Sequence, residues 1–316
     1  MHEKIGRVGH TSDAAGRVGR HSWFSKGEIG MATFAEMEAE KWMWITAYDK
    51  KFYPDHFTEA VRFYQPYIDH FRDQAESARS SADLLRRIQS VRQPGRTQML
   101  RIFSRYVSLI TSVQMLNVIG NTESVIATFG PGFREIGKVR ANINRLEYDD
   151  VLAALLWEYK DRGKVGYDLT DEFFTWFDGR FSQLGFVASG PRRAGRDIDL
   201  RNVIPDYIQK SPTDILIAHE GEPVIVGWGR YDNDRGGAQE DDRIGGNREK
   251  ILLIIKHKNS KGVPLKIFFL QDGPGLGLGS MWRDYGDFEK SDPARILVAT
   301  LKMLPSRLTQ EWMLGS

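Results

Sequence analysis

Four short apolar runs in the last third of the chain constrain its fold most. They read DILIA (214–218), PVIVGW (223–228), KIFFL (266–270) and ARILVATL (294–301). The turn residues EGEP between the first two runs predict a hairpin. The later runs are separated by REKILLIIKHKNSKG and SMWRDYGDFEK, which predict helices. The order β-β-α-β-α-β predicts an α/β fold with a mixed central sheet flanked by helices.

Upstream of these runs the chain has a different pattern. From about residue 32 to residue 181, apolar residues recur at spacings of three and four, which predicts a mainly helical region. We expect Pro66 to interrupt one of its helices, because proline removes a backbone donor and clashes with the preceding turn. Thr170 is expected to cap another helix, which should end near Gly179 or Gly185.

The first 30 residues are rich in glycine, histidine and arginine and poor in apolar side chains. This composition predicts a disordered basic arm. We therefore expect three parts, which are the arm (1–30), a mainly helical region (31–185) and an α/β core (186–316).

Composition narrows the class of protein. The 316 residues include no cysteine, which excludes disulfides and thiolate metal sites and is typical of a reducing, cytoplasmic compartment. No apolar run reaches 18 residues, so we expect no membrane span, and no secretory signal is expected either. The net charge of +2 is too small for a protein that coats nucleic acid non-specifically, but it is compatible with a local basic groove.

A dense mixture of charges lies between two apolar segments. The stretch VGWGRYDNDRGGAQEDDRIGGNREK (226–250) holds five basic and six acidic residues. Just upstream, Asp214 starts an apolar strand, and the partner strand returns beside it with polar residues at its end. Such an arrangement is suited to a hard cation such as Mg²⁺, which orients water and stabilises charge on a phosphate. The alternative is that Asp214 only caps the strand after a Ser-Pro turn.

The run SPTDILIAHEGEPVIVGWGRYDNDRGGAQEDDRIGGNREK, followed by KIFFLQDGPGLGLGSMWRDY, resembles the PD-(D/E)XK nuclease core of type II restriction endonucleases, in particular the EcoRI-like branch. The resemblance covers about residues 186–316. It implies a restriction-endonuclease-like fold and Mg²⁺-dependent, sequence-specific cleavage of double-stranded DNA. It also implies a homodimer acting on a palindromic site and a cognate DNA methyltransferase in the same restriction-modification system.

The chain departs from the family pattern at the acid-x-Lys triplet. The triplet should fall at Gly227-Trp228-Gly229 or one residue later, and neither position offers an acid or a lysine. On the resemblance, Arg230 stands in for the lysine, and the missing carboxylate comes from the segment that follows. That segment offers Asp232, Asp234, Glu240, Asp241 and Asp242, of which we favour Glu240. The predicted catalytic residues are thus Asp214, Glu240 and Arg230, and the predicted metal ligands are Asp214, Glu240, Asp232 and Asp242.

Arginines around this core are candidate DNA contacts. Those in GPRRAGR (Arg192, Arg193 and Arg196) are expected to bind backbone phosphates, together with Arg235 and Arg243. In IGGNREK, Asn247 is expected to pair with adenine and Arg248 with guanine, and the two glycines would allow close approach. The alternative is that Asn247 only caps the next helix.

Two rival functions remain open. A non-catalytic DNA-binding protein with a degenerate nuclease core would explain the missing triplet. A nucleotide-binding enzyme could use the loop DGPGLGLGS, whose glycine spacing is similar to that of a dinucleotide-binding loop.

Overall fold

The computed structural model describes residues 32–48, 52, 54–160, 164–192, 197–233 and 238–315, and residues 33–316 form one compact unit. The predicted arm (1–30) lies outside the described residues. The helices are α1 (Lys41–Trp44), α2 (Phe57–Ser77), α3 (Ser81–Gln89), α4 (Gly95–Tyr106), α5 (Val113–Asn117), α6 (Thr122–Phe129), α7 (Ile136–Ile143), α8 (Asp149–Lys160), α9 (Lys164–Phe181), α10 (Ala238–Ile254), α11 (Met281–Ser291), α12 (Leu304–Arg307) and α13 (Gln310–Leu314). The strands are β1 (Phe186–Ser189), β2 (Ile198–Asp199), β3 (Pro212–Thr213), β4 (Ile215–His219), β5 (Glu222–Tyr231), β6 (Lys266–Asp272) and β7 (Ile296–Ala299).

A five-stranded sheet organises the second half of the chain, in the order β1-β4-β5-β6-β7. The pairs β1–β4 and β4–β5 are antiparallel, whereas β5–β6 and β6–β7 are parallel. The predicted α/β class, with a mixed sheet, flanking helices and a helical N-terminal region, is therefore confirmed. Strands β4, β5, β6 and β7 are the four predicted apolar runs, while β1 was not predicted because its four residues are too few for a pattern. Strands β2 and β3 pair separately.

Two glycines on β5 explain why the strand carries no acid-x-Lys triplet. A side chain at Gly229 would lie 2.7 Å from the Thr170 methyl group of α9, and one at Gly227 would lie 2.9 Å from the backbone oxygen of Phe268. Between them, the Trp228 indole donates a hydrogen bond to the Pro212 carbonyl at 2.8 Å. Close packing of α9 and β6 thus occupies the positions where a carboxylate would stand.

Among the described residues two hydrophobic cores form, one built by α2 to α8 and one built by segment 33–48 with the chain from α9 onward. One core lies within the helical region and includes Tyr64, Phe71 and Phe103. The other surrounds the sheet and takes in α9, because Phe173 packs on Phe268 with ring centroids 5.5 Å apart. Within the described ranges, no helix has the length and apolar character to cross a membrane.

Two local predictions in the helical region are wrong. Helix α2 runs through Pro66 without a break. Pro66 is exposed while Tyr64 and Ile68 are buried, so the carbonyl that proline leaves unpaired faces water and the apolar face holds the helix on its core. Thr170 does not cap a helix but lies within α9, where its hydroxyl group is 3.1 Å from the Tyr167 carbonyl.

A buried ion pair connects α11 to α12 near the far edge of the sheet. Glu289 and Arg307 are 3% and 2% exposed, and an oxygen of Glu289 lies 2.5 Å from Nη2 of Arg307. The same carboxylate accepts the backbone N–H groups of Phe34 and Val298 at 3.0 Å each. All of these donors satisfy a carboxylate that has no access to water.

The N-terminal segment 33–48 lies against the same half of the molecule. The Asp272 carboxylate, at the end of β6, accepts the backbone N–H groups of Thr46 at 2.7 Å and Leu301 at 3.0 Å. The ring of Phe34 stacks on Trp282 at 4.2 Å between centroids. Residues from the two ends of the described chain therefore complete one core.

Candidate functional site

A cavity of about 210 Å³ opens where β5 ends, between the sheet and α10. The ionisable side chains that line it are Asp214, Arg230, Arg243, Lys250 and Tyr285. One carboxylate therefore faces three basic groups. The excess of positive charge favours an anionic ligand such as a phosphate.

Asp214 lies where the sequence predicted, immediately before β4 and against the end of β5. Its backbone N–H donates to the Gly227 carbonyl at 3.2 Å, and its Oδ2 accepts the backbone N–H of Gly229 at 3.1 Å. Burial raises the pKa of its carboxyl group, and the hydrogen bond from Gly229 opposes that shift in part. The nearby charge of Asp197 raises this pKa further, whereas Lys250 lowers it.

Lys250 is a site residue that the sequence analysis missed. It projects from α10, with Nζ 4.7 Å from the centre of the Trp228 ring and 3.4 Å from Oδ1 of Asn247. Burial lowers the pKa of its ammonium group, and the Asp214 carboxylate opposes this shift. A signal was present: Arg243, Asn247 and Lys250 are spaced by four and three residues, which places them on one helix face. The prediction began the helix too late to show this.

Asp232 organises the two arginines of the cavity. It is 6% exposed, and its Oδ1 accepts Nε of Arg230 at 2.7 Å and Nη1 of Arg243 at 3.1 Å. Its own backbone is bonded to the Asp272 carbonyl and to the Gly275 N–H. The predicted role of Asp232 as a metal ligand has no support in this geometry, because two guanidinium groups already neutralise the carboxylate.

The wall of the cavity also contains buried amides. Asn247 lies within α10, 9% exposed, and its Nδ2 donates to the Tyr285 hydroxyl at 2.9 Å. It is therefore neither a helix cap nor an amide free to read adenine. Gln271 is 2% exposed, and among the described residues its Oε1 has no hydrogen-bond partner. That oxygen is a buried acceptor in the cavity wall.

Of the other predicted residues, the described ones (Arg192, Asp242 and Arg248) do not line the cavity. Arg248 and Asp242 are exposed on α10. Arg192 is 47% exposed, forms an ion pair with Asp178 at 2.8 Å and lies over the Phe174 ring. The side chain of Glu240, whose backbone is in α10, lies outside the described residues, and so do Asp241's side chain and the whole of Arg193, Arg196, Asp234 and Arg235.

The described residues do not fit a magnesium ion. Among them, no group of three or more acidic or histidine side chains is placed to hold a metal. Of the described residues, only Asp214 supplies a carboxylate to the cavity lining, where Mg²⁺ would also meet three cations. The described set is matched to a phosphate instead.

The loop DGPGLGLGS is not a nucleotide-binding loop. A side chain at Gly273, whose φ is +96°, would lie 2.4 Å from the Asp232 carbonyl, and one at Gly277 would lie 2.5 Å from the Trp42 ring. The Gly275 N–H is bonded to Asp232. The glycines therefore allow close packing against the protein, and this backbone is not open to a ligand.

Comparisons with models of known families, with curated proteins and with solved structures gave no match to this chain. Its function must therefore be argued from the geometry of the cavity.

Proposed function

We propose that this protein is a sequence-specific endonuclease of the type II restriction class, which hydrolyses phosphodiester bonds in double-stranded DNA. One observation carries the proposal: Asp214 and Lys250 line the same cavity, beside two arginines that Asp232 holds in place. A carboxylate, a lysine and fixed guanidinium groups can supply the proton transfer and charge stabilisation that assist phosphodiester cleavage.

The order of elements supports the proposal. Asp214 lies immediately before β4, and β5 returns beside it. A charged segment then leads into α10 and on to β6, which ends at Asp272. The expected nuclease core has an acidic residue on one strand, the catalytic strand beside it and a helix before the next strand. In this chain the lysine, Lys250, comes from α10. In the nuclease core that the chain resembles, the lysine lies on the catalytic strand.

Arg230 and Arg243 would bind the phosphate. Each is held through one nitrogen by Asp232, so the orientation of its guanidinium plane is restricted before a ligand arrives. Charge-assisted bonds from arginine to phosphate are about twice as strong as neutral ones. Arg230 is therefore a binding residue in this proposal, since it does not lose its proton and cannot act as a base.

Asp214 and Lys250 would handle protons. Burial raises the pKa of the first and lowers the pKa of the second, which brings both closer to neutral pH. One of them would accept the proton of the attacking water while the other donates a hydrogen bond to the phosphate. As the water oxygen bonds to phosphorus, the P–O bond to the leaving sugar oxygen breaks, and that oxygen takes up the proton. Following the resemblance, the enzyme would act as a homodimer in the cytoplasm and be paired with a DNA methyltransferase.

A second function is favoured by one observation. The described wall of the cavity offers a single carboxylate against three cations. A DNA-binding protein with a degenerate nuclease core and no catalytic activity would have this balance of charge.

Cleavage of plasmid DNA decides between the two. The purified protein, assayed with Mg²⁺ and separately with EDTA, should cut a plasmid into discrete fragments. Asp214→Ala and Lys250→Met should lose cutting by orders of magnitude yet retain DNA binding in a gel-shift assay. Binding by the wild type without cleavage, in both Mg²⁺ and Mn²⁺, would replace the first proposal by the second.

A further inference from the structure

A second cationic cleft lies in the helical region, far along the chain from the proposed nuclease site. Its volume is about 350 Å³, and α4 and α5 form its walls. The ionisable side chains that line it are two arginines, Arg101 and Arg105, one helical turn apart on α4. Of the described residues, no acidic one lines the cleft.

Among the described residues, no carboxylate pairs with the positive charge of Arg101. Its Nη1 lies 3.2 Å from the Tyr64 hydroxyl and 3.1 Å from Oε1 of Gln98, which are both neutral groups. The side chain is partly buried, and within the described part of the chain it has no ion pair. A partly desolvated guanidinium fixed by neutral partners is a strong site for an anion.

The amides of the cleft also present donors. Oδ1 of Asn117 is occupied, because it accepts Nε2 of Gln93 at 2.9 Å and the hydroxyl of Thr97 at 3.3 Å. The Nδ2 group of Asn117 is therefore the part of the amide that can donate hydrogen bonds to a ligand. Gln114, also in the lining, is exposed and adds a second amide. The cleft is thus arranged in advance around an acceptor.

We propose that this cleft binds a backbone phosphate of a nucleic-acid strand. The two arginines and the Asn117 amide would contact the phosphate oxygens. Val113 and Leu156 provide apolar surface for the adjoining sugar, and the cleft is larger than a phosphate group alone. The cationic and hydrogen-bonding chemistry stands by itself, whereas the choice of DNA as the ligand rests on the proposed function.

The test measures how binding depends on salt. Each phosphate contact that is lost reduces the slope of log K against log salt concentration by about one. The wild type and the variants Arg105→Gln and Gln114→Glu, each as the full chain, are titrated onto a fluorescent DNA duplex in EDTA at several salt concentrations. Both variants should bind the duplex more weakly than the wild type. For Arg105→Gln, the slope of log K against log salt concentration should also be less steep than for the wild type. The cleavage rate at saturating DNA should not change. Arg62→Gln removes an exposed charge from α2 outside the cleft and should match the wild type.

The outcomes separate this proposal from the nuclease proposal. If the wild type binds DNA and both cleft variants match it, the cleft does not bind the strand and the nuclease proposal stands. If the wild type does not bind DNA, both proposals of DNA binding fail. A melting-temperature increase with inorganic pyrophosphate, present in the wild type and lost in Gln114→Glu, would then identify a free phosphate anion as the ligand instead.

Discussion

Glu289 and Asp232 are both buried carboxylates bonded to arginine, yet they belong to two different kinds of region. The Glu289 partner, Arg307, is 2% exposed, and every bond of the pair points into the protein. The Asp232 partners keep part of their guanidinium surface exposed, with side chains 42% and 20% accessible for Arg230 and Arg243. A closed pair is out of reach of a ligand, whereas an open one presents its cations to a ligand. The two ion pairs have the same chemistry, and their solvent exposure distinguishes the structural pair from the one at a binding site.

Removing Glu289 should have the largest effect on stability. Glu289→Ala leaves Arg307 buried without its counter-charge and leaves two backbone N–H groups unpaired, so we expect a loss of about 3–5 kcal/mol in the free energy of unfolding. Chemical denaturation measures this. Asp287→Ala, at an exposed position on the same helix, should change stability by no more than about 0.5 kcal/mol. A loss below 1 kcal/mol for Glu289→Ala would show that the closed pair is not architectural.

Removing Arg243 should reduce DNA affinity and have little effect on stability. Arg243→Gln is expected to weaken DNA binding by about 1.5–3 kcal/mol, because a charge-assisted contact is lost. Its effect on unfolding should be small, since Arg230 still pairs with Asp232. Arg243→Lys keeps the positive charge but loses the planar guanidinium group, so its DNA affinity should lie between those of the wild type and Arg243→Gln. Binding isotherms and denaturation curves of the same samples measure both effects. A larger loss in the free energy of unfolding than in the free energy of DNA binding would show that the Asp232 pair serves the fold and not the ligand.

Neutralising Asp214 should stabilise the protein. Because burial raises its folded-state pKa above the unfolded value, the folded protein is penalised for the charged form. The penalty is present above the folded pKa and disappears as pH falls below the unfolded pKa, near 3.9. Asp214→Asn should therefore gain about 1 kcal/mol at pH 7 and nothing at pH 3. A stability difference that does not vary with pH would rule out this account.

Deleting residues 1–30 should have the smallest effect. The composition of this segment predicts an arm without a core of its own. A chain that begins at Met31 should keep the melting temperature and the fragment pattern of the full protein. A changed pattern would show that the arm helps to read DNA, and that the open cavity is not the whole interface.

The sheet was predictable because its strands are short apolar runs with turn residues between them, and Asp214 was predictable because it starts one of them. Helix α10 was not placed correctly. Its first half contains Gly245 and Gly246, which each weaken a helix by about 1 kcal/mol relative to alanine, and the pattern therefore indicated a loop. Packing of Ile244, Ile251 and Ile254 onto the sheet outweighs that preference.

The error in α10 determined which site residues were missed. A helix that begins at Ala238 places Arg243, Asn247 and Lys250 on one face, whereas the predicted helix began at Arg248 and left Arg243 and Asn247 outside it. Likewise, the bonds from Asp232 to two arginines depend on the packing of the loop after β6, which no local pattern encodes. Residues set by tertiary contacts were the ones that the sequence could not place.

The bonds from Thr46 to Asp272 and from Phe34 to Glu289 also constrain the order of events on the ribosome. These residues are separated by 226 and 255 positions, so segment 33–48 waits for its partners until most of the chain has been made. Helices α2 to α8 have a core of their own within about 100 residues and can assemble during this interval. The earliest described residues therefore reach these native contacts only after Asp272 and Glu289 have been made.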